Sequence, residues 1–164
     1  MNVIPIEDPR LTAFGLFSEV NAGLTERMYP TFTKAGLSEV EFDTLIRLAR
    51  SPGGSLRMGD LAAQTGLSTS GVTRVVDRME RNRLVSRKSS STDRRASYAA
   101  ITETGMSRLE GVLPNHLEDI ESSLTSLLTQ EQLDAFLSTL RIIRDVVRPG
   151  ALAGTNGQEC ADRP

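Results

Sequence analysis

The sequence of 164 residues predicts a mainly α fold with one small two-stranded β element, an α+β arrangement. Three observations predict it. Apolar residues recur at three- and four-residue spacing over most of the chain, a Ser, Thr or Asp stands ahead of most of these stripes, and one pair of short strand-like segments lies between residues 84 and 101. Asp8-Pro9 opens a first helix as N-cap and first helical residue, and Leu11, Phe14, Phe17, Val20, Leu24 and Met28 form its stripe until Tyr29-Pro30 bends or ends it. Ser38 and Glu41 have capping-box spacing, so a second, largely buried helix carries Val40, Phe42, Leu45, Ile46 and Leu48 up to Ser51-Pro52-Gly53-Gly54.

From Met58 two short helices are expected in quick succession. Asp60 to Thr65 is the first, Gly66-Leu67 the turn, and Ser68 the N-cap of a second running to about Asn82. A helix-turn-helix needs a small residue where its helices cross, a glycine at the turn and aliphatic residues on the inner face of the second helix, and Ala62, Gly66, Val72 and Val75 meet those needs. Val72, Val75, Val76 and Met79 form the inward stripe; Thr69, Ser70, Thr73, Arg74, Asp77, Arg78 and Arg81 face out. An outer face that is short and polar at its start and arginine-rich further on suits a helix whose first turns meet base edges and phosphates.

Leu84 to Lys88 and Ala96 to Ile101 read as the two strands, and the loop Ser89 to Arg95 between them reads as a wing whose arginines reach a neighbouring minor groove. Thr102 caps a long helix with the stripe Met106, Leu109, Leu113, Leu117, Ile120, Leu124 and Leu127, kinked at Pro114. Thr129 and Gln132 form a second capping box ahead of a last helix with Leu133, Phe136, Leu137, Leu140, Ile143 and Val147 inward. The leucine stripes of the terminal helices are too long to bury in one lobe, which points to a dimer interface.

Charge supports the same division. The formal charge is only −2, yet between Arg57 and Arg95 nine basic residues stand against four acidic ones, so a basic middle lies between acidic ends. Composition excludes other classes. The single cysteine, Cys160, rules out an intrachain disulfide, and with one histidine, His116, a zinc site would need carboxylates. No apolar run approaches a membrane span and Met1 to Arg10 lacks a signal-peptide pattern, so a cytoplasmic protein is expected. No neighbourhood combines a base, a nucleophile and an orienting group, so no enzyme is expected and no cofactor is called for.

The motifs Leu61-Ala62, Thr65-Gly66-Leu67-Ser68, Val72 through Glu80, Leu84-Val85, Asp93-Arg94-Arg95 and Ile101-Thr102 with Gly105 resemble the multiple-antibiotic-resistance regulator (MarR) family of winged helix-turn-helix transcription factors. The resemblance spans roughly Leu11 to Val147. It implies a winged helix-turn-helix with N- and C-terminal dimerisation helices, a homodimer on a pseudo-palindromic double-stranded DNA operator, most often as a repressor, and in many members a phenolic or lipophilic small-molecule effector. By position it puts Ser68, Thr69, Ser70, Thr73 and Arg74 at the major groove and Arg94 and Arg95 in the wing with Asp93 as anchor; Arg78, on the outward face, joins the DNA-facing set. The regions implied are residues 1–35 and 103–148 for dimerisation and 36–102 for DNA binding, and the composition of residues 149–164 predicts a disordered tail. The contrasting reading of the same arginines is a winged-helix module that grips an acidic protein and does not bind DNA. One departure is at Asn82-Arg83, where the family usually has glycine just before the Leu-Val of the wing strand. Asparagine tolerates the left-handed conformation better than arginine, so Asn82 is expected to take that role and shift the cap by one residue, the alternative being strain of about 1 kcal/mol at Arg83.

Overall fold

The computed structural model describes residues 6–89 and 96–154. In chain order it contains α1 (Pro9–Lys34), α2 (Glu39–Arg50), β1 (Ser55–Arg57), α3 (Met58–Thr65), α4 (Thr69–Arg81), β2 (Val85–Ser89), β3 (Ser97–Ile101), α5 (Glu103–Ser123) and α6 (Gln130–Val147). Each expected cap is made. The Asp8, Ser38, Ser68, Thr102 and Thr129 side chains all accept from a backbone N–H in the first turn, and both capping boxes close reciprocally.

The sheet has three strands in the order β1-β3-β2, all antiparallel, one more than the sequence predicts. The added strand β1 pairs Leu56 with Ala99 and Arg57 with Tyr98. Three residues with a single buried side chain are too short for an alternating pattern to register. The core lies between this sheet and α2 to α5, where Leu45, Leu48, Leu61, Val72, Val76, Met79, Val85 and Ala99 are buried.

Helix α1 runs through Pro30 rather than ending there. Beyond the proline, Phe32 stacks on Phe42 of α2 with ring centroids 4.5 Å apart, and that burial holds the final turn in place against the lost N–H. At its other end the long fifth helix stops at Ser123, and Thr125–Leu127 forms a separate 3-10 turn. Residues 149–154, expected in the tail, are folded: Pro149–Leu152 is a 3-10 turn laid on α3, where Gln64 Nε2 donates to the Ala153 carbonyl at 2.5 Å.

The end of α4 corrects a second expectation. Asn82 keeps a right-handed conformation (φ −86°) and Arg83 takes the left-handed one (φ 59°). Arg83 N–H donates to Glu80 O and Leu84 N–H to Met79 O, both at 2.9 Å, the paired bonds of a Schellman cap. Shifting the cap by one residue would pull Leu84 and Val85 out of the core, so packing fixes the register and the strain falls on arginine. Arg83→Gly is expected to raise unfolding stability by about 0.5–1 kcal/mol, read as a higher urea midpoint; an unchanged or lower midpoint would show that the backbone there is relaxed.

Candidate nucleic-acid interface

Helix α4 is held by its inner face and offers its outer one. Val72, Val76 and Met79 are fully buried, whereas Ser68, Thr69, Ser70 and Arg74 are exposed and Thr73 is half-buried. The turn ahead of it requires Gly66, whose φ of 71° ends α3 and aims α4 across it. At the N-terminus Ser68 Oγ is engaged as the cap on Gly71 N–H at 3.1 Å and lies 3.1 Å from Ser70 Oγ. Thr73 Oγ1 donates to Thr69 O at 2.8 Å, which leaves its lone pairs outward. Among the described residues, Arg74 has no hydrogen-bonding or ion-pair partner. These five predicted residues thus share one exposed surface spanning the helix start and its first two turns.

Arg78 is placed differently from the expectation. Its Nε donates to Glu41 Oε1 of α2 at 2.7 Å and its Nη2 to Ser38 Oγ at 3.2 Å. Burial pushes the Glu41 carboxyl towards a higher pKa, but the Ser38 N–H, the Arg78 guanidinium and the Ser38 hydroxyl together outweigh it and hold the group below its ordinary value. The predicted wing residues Asp93, Arg94 and Arg95 lie outside the described residues.

Two residues that sequence reasoning missed organise the same surface. One is Glu41, legible only as a capping residue because its other partner is 37 positions away. The other is Arg87 on β2, whose Nη2 pairs with Asp77 Oδ1 at 2.5 Å and whose backbone N–H donates to Glu80 Oε1 at 3.0 Å. Arg87 therefore ties the wing strand to α4 and neutralises the acid on its outer face. With Asp77 and Glu41 each matched by an arginine, Arg74 stands on this face among the hydroxyls of Thr69, Ser70 and Thr73.

His116 sits where α1, α2 and α5 meet, its ring 5.2 Å from Phe32 and 4.7 Å from Phe42, with Nδ1 buried and without a hydrogen-bond partner among the described residues. Burial lowers its pKa, and Asp119 nearby offsets part of that effect. It is a packing residue joining the lobe to the terminal helices. Among the described residues no group of side chains could hold a metal ion, and no helix is long and apolar enough to cross a membrane.

Among the described residues much of the apolar surface of the two terminal helices is left uncovered. In α6 no residue is buried, and Ile142, Ile143, Val146 and Val147 are exposed; in α1 only Phe32 is buried, and Leu11, Phe14, Phe17 and Val20 lie open.

Comparison with known proteins agrees with this geometry. The family model described as MarR family matches residues 35–96, the helix-turn-helix with most of the wing and the helix before it. The HTH-type transcriptional regulator MhqR of Bacillus subtilis is 30% identical over 131 residues, which is 80% of this chain and 88% of MhqR. AbsC, a MarR family transcriptional regulator from Streptomyces coelicolor, superposes with a TM-score of 0.82 at 30% identity, over 90% of this chain and 99% of AbsC. Sco3205 from the same organism, solved in complex with DNA, superposes with a TM-score of 0.80 at 25% identity, over 91% of this chain and 92% of its own. With that identity and coverage, the chain belongs to the MarR family of winged helix-turn-helix transcriptional regulators.

Proposed function

We propose that the protein works in the cytoplasm as a homodimeric, sequence-specific double-stranded DNA-binding repressor, without enzymatic activity. One observation carries the reading: Thr69, Ser70, Thr73 and Arg74 form an exposed face on α4 while the acids beside that face are neutralised from within the fold. A helix of this kind fits the major groove, with Arg74 suited to guanine and the hydroxyls to phosphates and base edges. Ser68 caps the helix start by accepting from Gly71 N–H and stands exposed beside the same face. Arg94 and Arg95, positioned by Asp93, are assigned to the adjacent minor groove on the family resemblance.

The open faces of α1 and α6 supply the dimer. Two recognition helices related by a two-fold axis read half-sites about one helical turn apart, so a palindromic operator follows from the symmetry. A small-molecule effector would act by altering that spacing; the groove of about 400 Å³ between α1 and α5, lined by Thr31, Lys34, Asn115, Glu118 and Asp119, lies in the region that sets it.

Selection of duplexes from a random pool, followed by binding in a salt series, tests the reading. A palindromic consensus and a log–log salt slope of several units are expected. Arg74→Ala is expected to cost about 1–3 kcal/mol on the selected site and less on random duplex; equal loss on both would reduce Arg74 to a phosphate contact. Failure to enrich any duplex at low salt would overturn the DNA reading in favour of an acidic protein partner.

A further inference from the structure

On a recognition helix the cations are the natural contacts for DNA, and Arg78 stands one turn beyond Arg74 on the same helix. Its surroundings argue for another role. The carboxylate it meets is not a surface acid: Glu41 is 5% exposed, and its second oxygen accepts from both Ser38 N–H and Ser38 Oγ at 2.8 Å. Glu41 therefore cannot swing away without breaking the reciprocal half of the capping box that opens α2. Ser38 Oγ closes the loop, accepting from Glu41 N–H at 3.3 Å and from Arg78 Nη2 at 3.2 Å.

Two consequences follow. A carboxylate removed from water depends on its guanidinium, so the pair is held together by the cost of leaving Glu41 buried and uncompensated. And an arginine bound to a carboxylate presents little net charge to a phosphate, whereas Arg74 presents a full one. The opposite flank of α4 is fixed by Arg87 on Asp77, so the two pairs grip the helix from α2 on one side and from the wing strand on the other.

We propose that Arg78 is a positioning residue: through Glu41 and Ser38 it sets the rotation and tilt of α4 against α2, and so determines where Thr69, Ser70, Thr73 and Arg74 meet the groove. The proposal rests on the DNA-binding reading and adds that Glu41, an acid, is required for tight binding to a polyanion. A direct phosphate contact by Arg78 predicts the reverse, because removing Glu41 would release a cation.

The test compares the full-length protein with its Glu41→Gln, Arg78→Gln and double variants on a duplex enriched by the wild type from a random pool and on a random-sequence duplex, each across a salt series. Glutamine at position 41 still serves as a capping-box residue. Each single variant is expected to bind the enriched duplex about tenfold or more weakly, to lose much less on random duplex, and to keep the wild-type salt slope. The double variant is expected to be no weaker than the weaker single, since both break one unit. An Arg78→Gln slope lower by about one unit on both duplexes, with Glu41→Gln binding as tightly as wild type or more so, would overturn the proposal. Should either glutamine variant melt below the assay temperature, Arg78→Lys decides: a positioning role predicts weakened discrimination at an unchanged slope, and a simple charge contact predicts binding like wild type. A wild type that enriches no duplex defeats the DNA reading itself, an outcome distinct from any pattern among the variants.

Discussion

Leu140→Asp is expected to convert the dimer to monomers and to weaken binding to a palindromic operator by about a hundredfold or more, the loss that follows when two linked half-site contacts become one. Leu140 lies with Leu137, Ile143 and Val147 along one side of α6, where Phe17 of α1 joins them to line an apolar groove. Within a single subunit this side has too little to rest on, for Val147 and Ile143 remain exposed. An aspartate in the middle of a face that closes against its copy must either desolvate a charge or keep the faces apart, and separation is the lesser cost. Sedimentation and mobility shift measure the two halves of the expectation. A variant that still sediments as a dimer would remove α6 from the interface; a monomer with undiminished operator affinity would separate dimerisation from DNA binding.

Gly105→Ala is expected to destabilise the winged lobe by about 3 kcal/mol or more, enough to leave much of the protein unfolded at 37 °C. Gly105 lies in the first turn of α5, and a Cβ there would stand 2.0 Å from the Leu84 carbonyl oxygen and 3.0 Å from Ile101 Cγ1. The Leu84 oxygen is already committed, accepting from Thr102 N–H and Thr102 Oγ1 at 3.1 Å each, so neither partner has room to retreat. The glycine thus lets a helix that leaves the lobe begin in contact with the backbone where the wing begins. A urea midpoint lowered by less than about 1 kcal/mol equivalent would show that α5 can shift by the missing ångström.

Local features were legible in the sequence and distant ones were not. The caps at Ser38, Ser68, Thr102 and Thr129 depend on partners three residues away, and all stand where the sequence predicts them. The inward stripe of α4 follows from periodicity alone. Strand β1 was not legible, because its pairing is with residues more than forty positions later and its own length carries no pattern. Pro30 is expected to bend or end the first helix, yet α1 continues through it to Lys34, because the Phe32–Phe42 stack is a tertiary contact that local sequence does not carry. In the candidate interface periodicity gives the outward face of α4, the family resemblance selects Ser68, Thr69, Ser70, Thr73 and Arg74, and these five share one surface. Arg78 has the sequence context of a DNA contact; only the fold reveals that Glu41 occupies it. The same limitation hid Arg87, a strand residue whose partners, Asp77 and Glu80, lie on the neighbouring helix.

The open apolar faces of α1 and α6 have a consequence for abundance. Val146 is 77% exposed and Phe14 72% exposed in the lone subunit, so in the proposed dimer these faces are covered only by association, and association follows mass action. A subunit newly made in a cell holding few copies has unprotected helices and is open to proteolysis; one made among many is sheltered at once. The amount of active regulator then rises more steeply than the amount synthesised, and dosage becomes a control acting ahead of any effector.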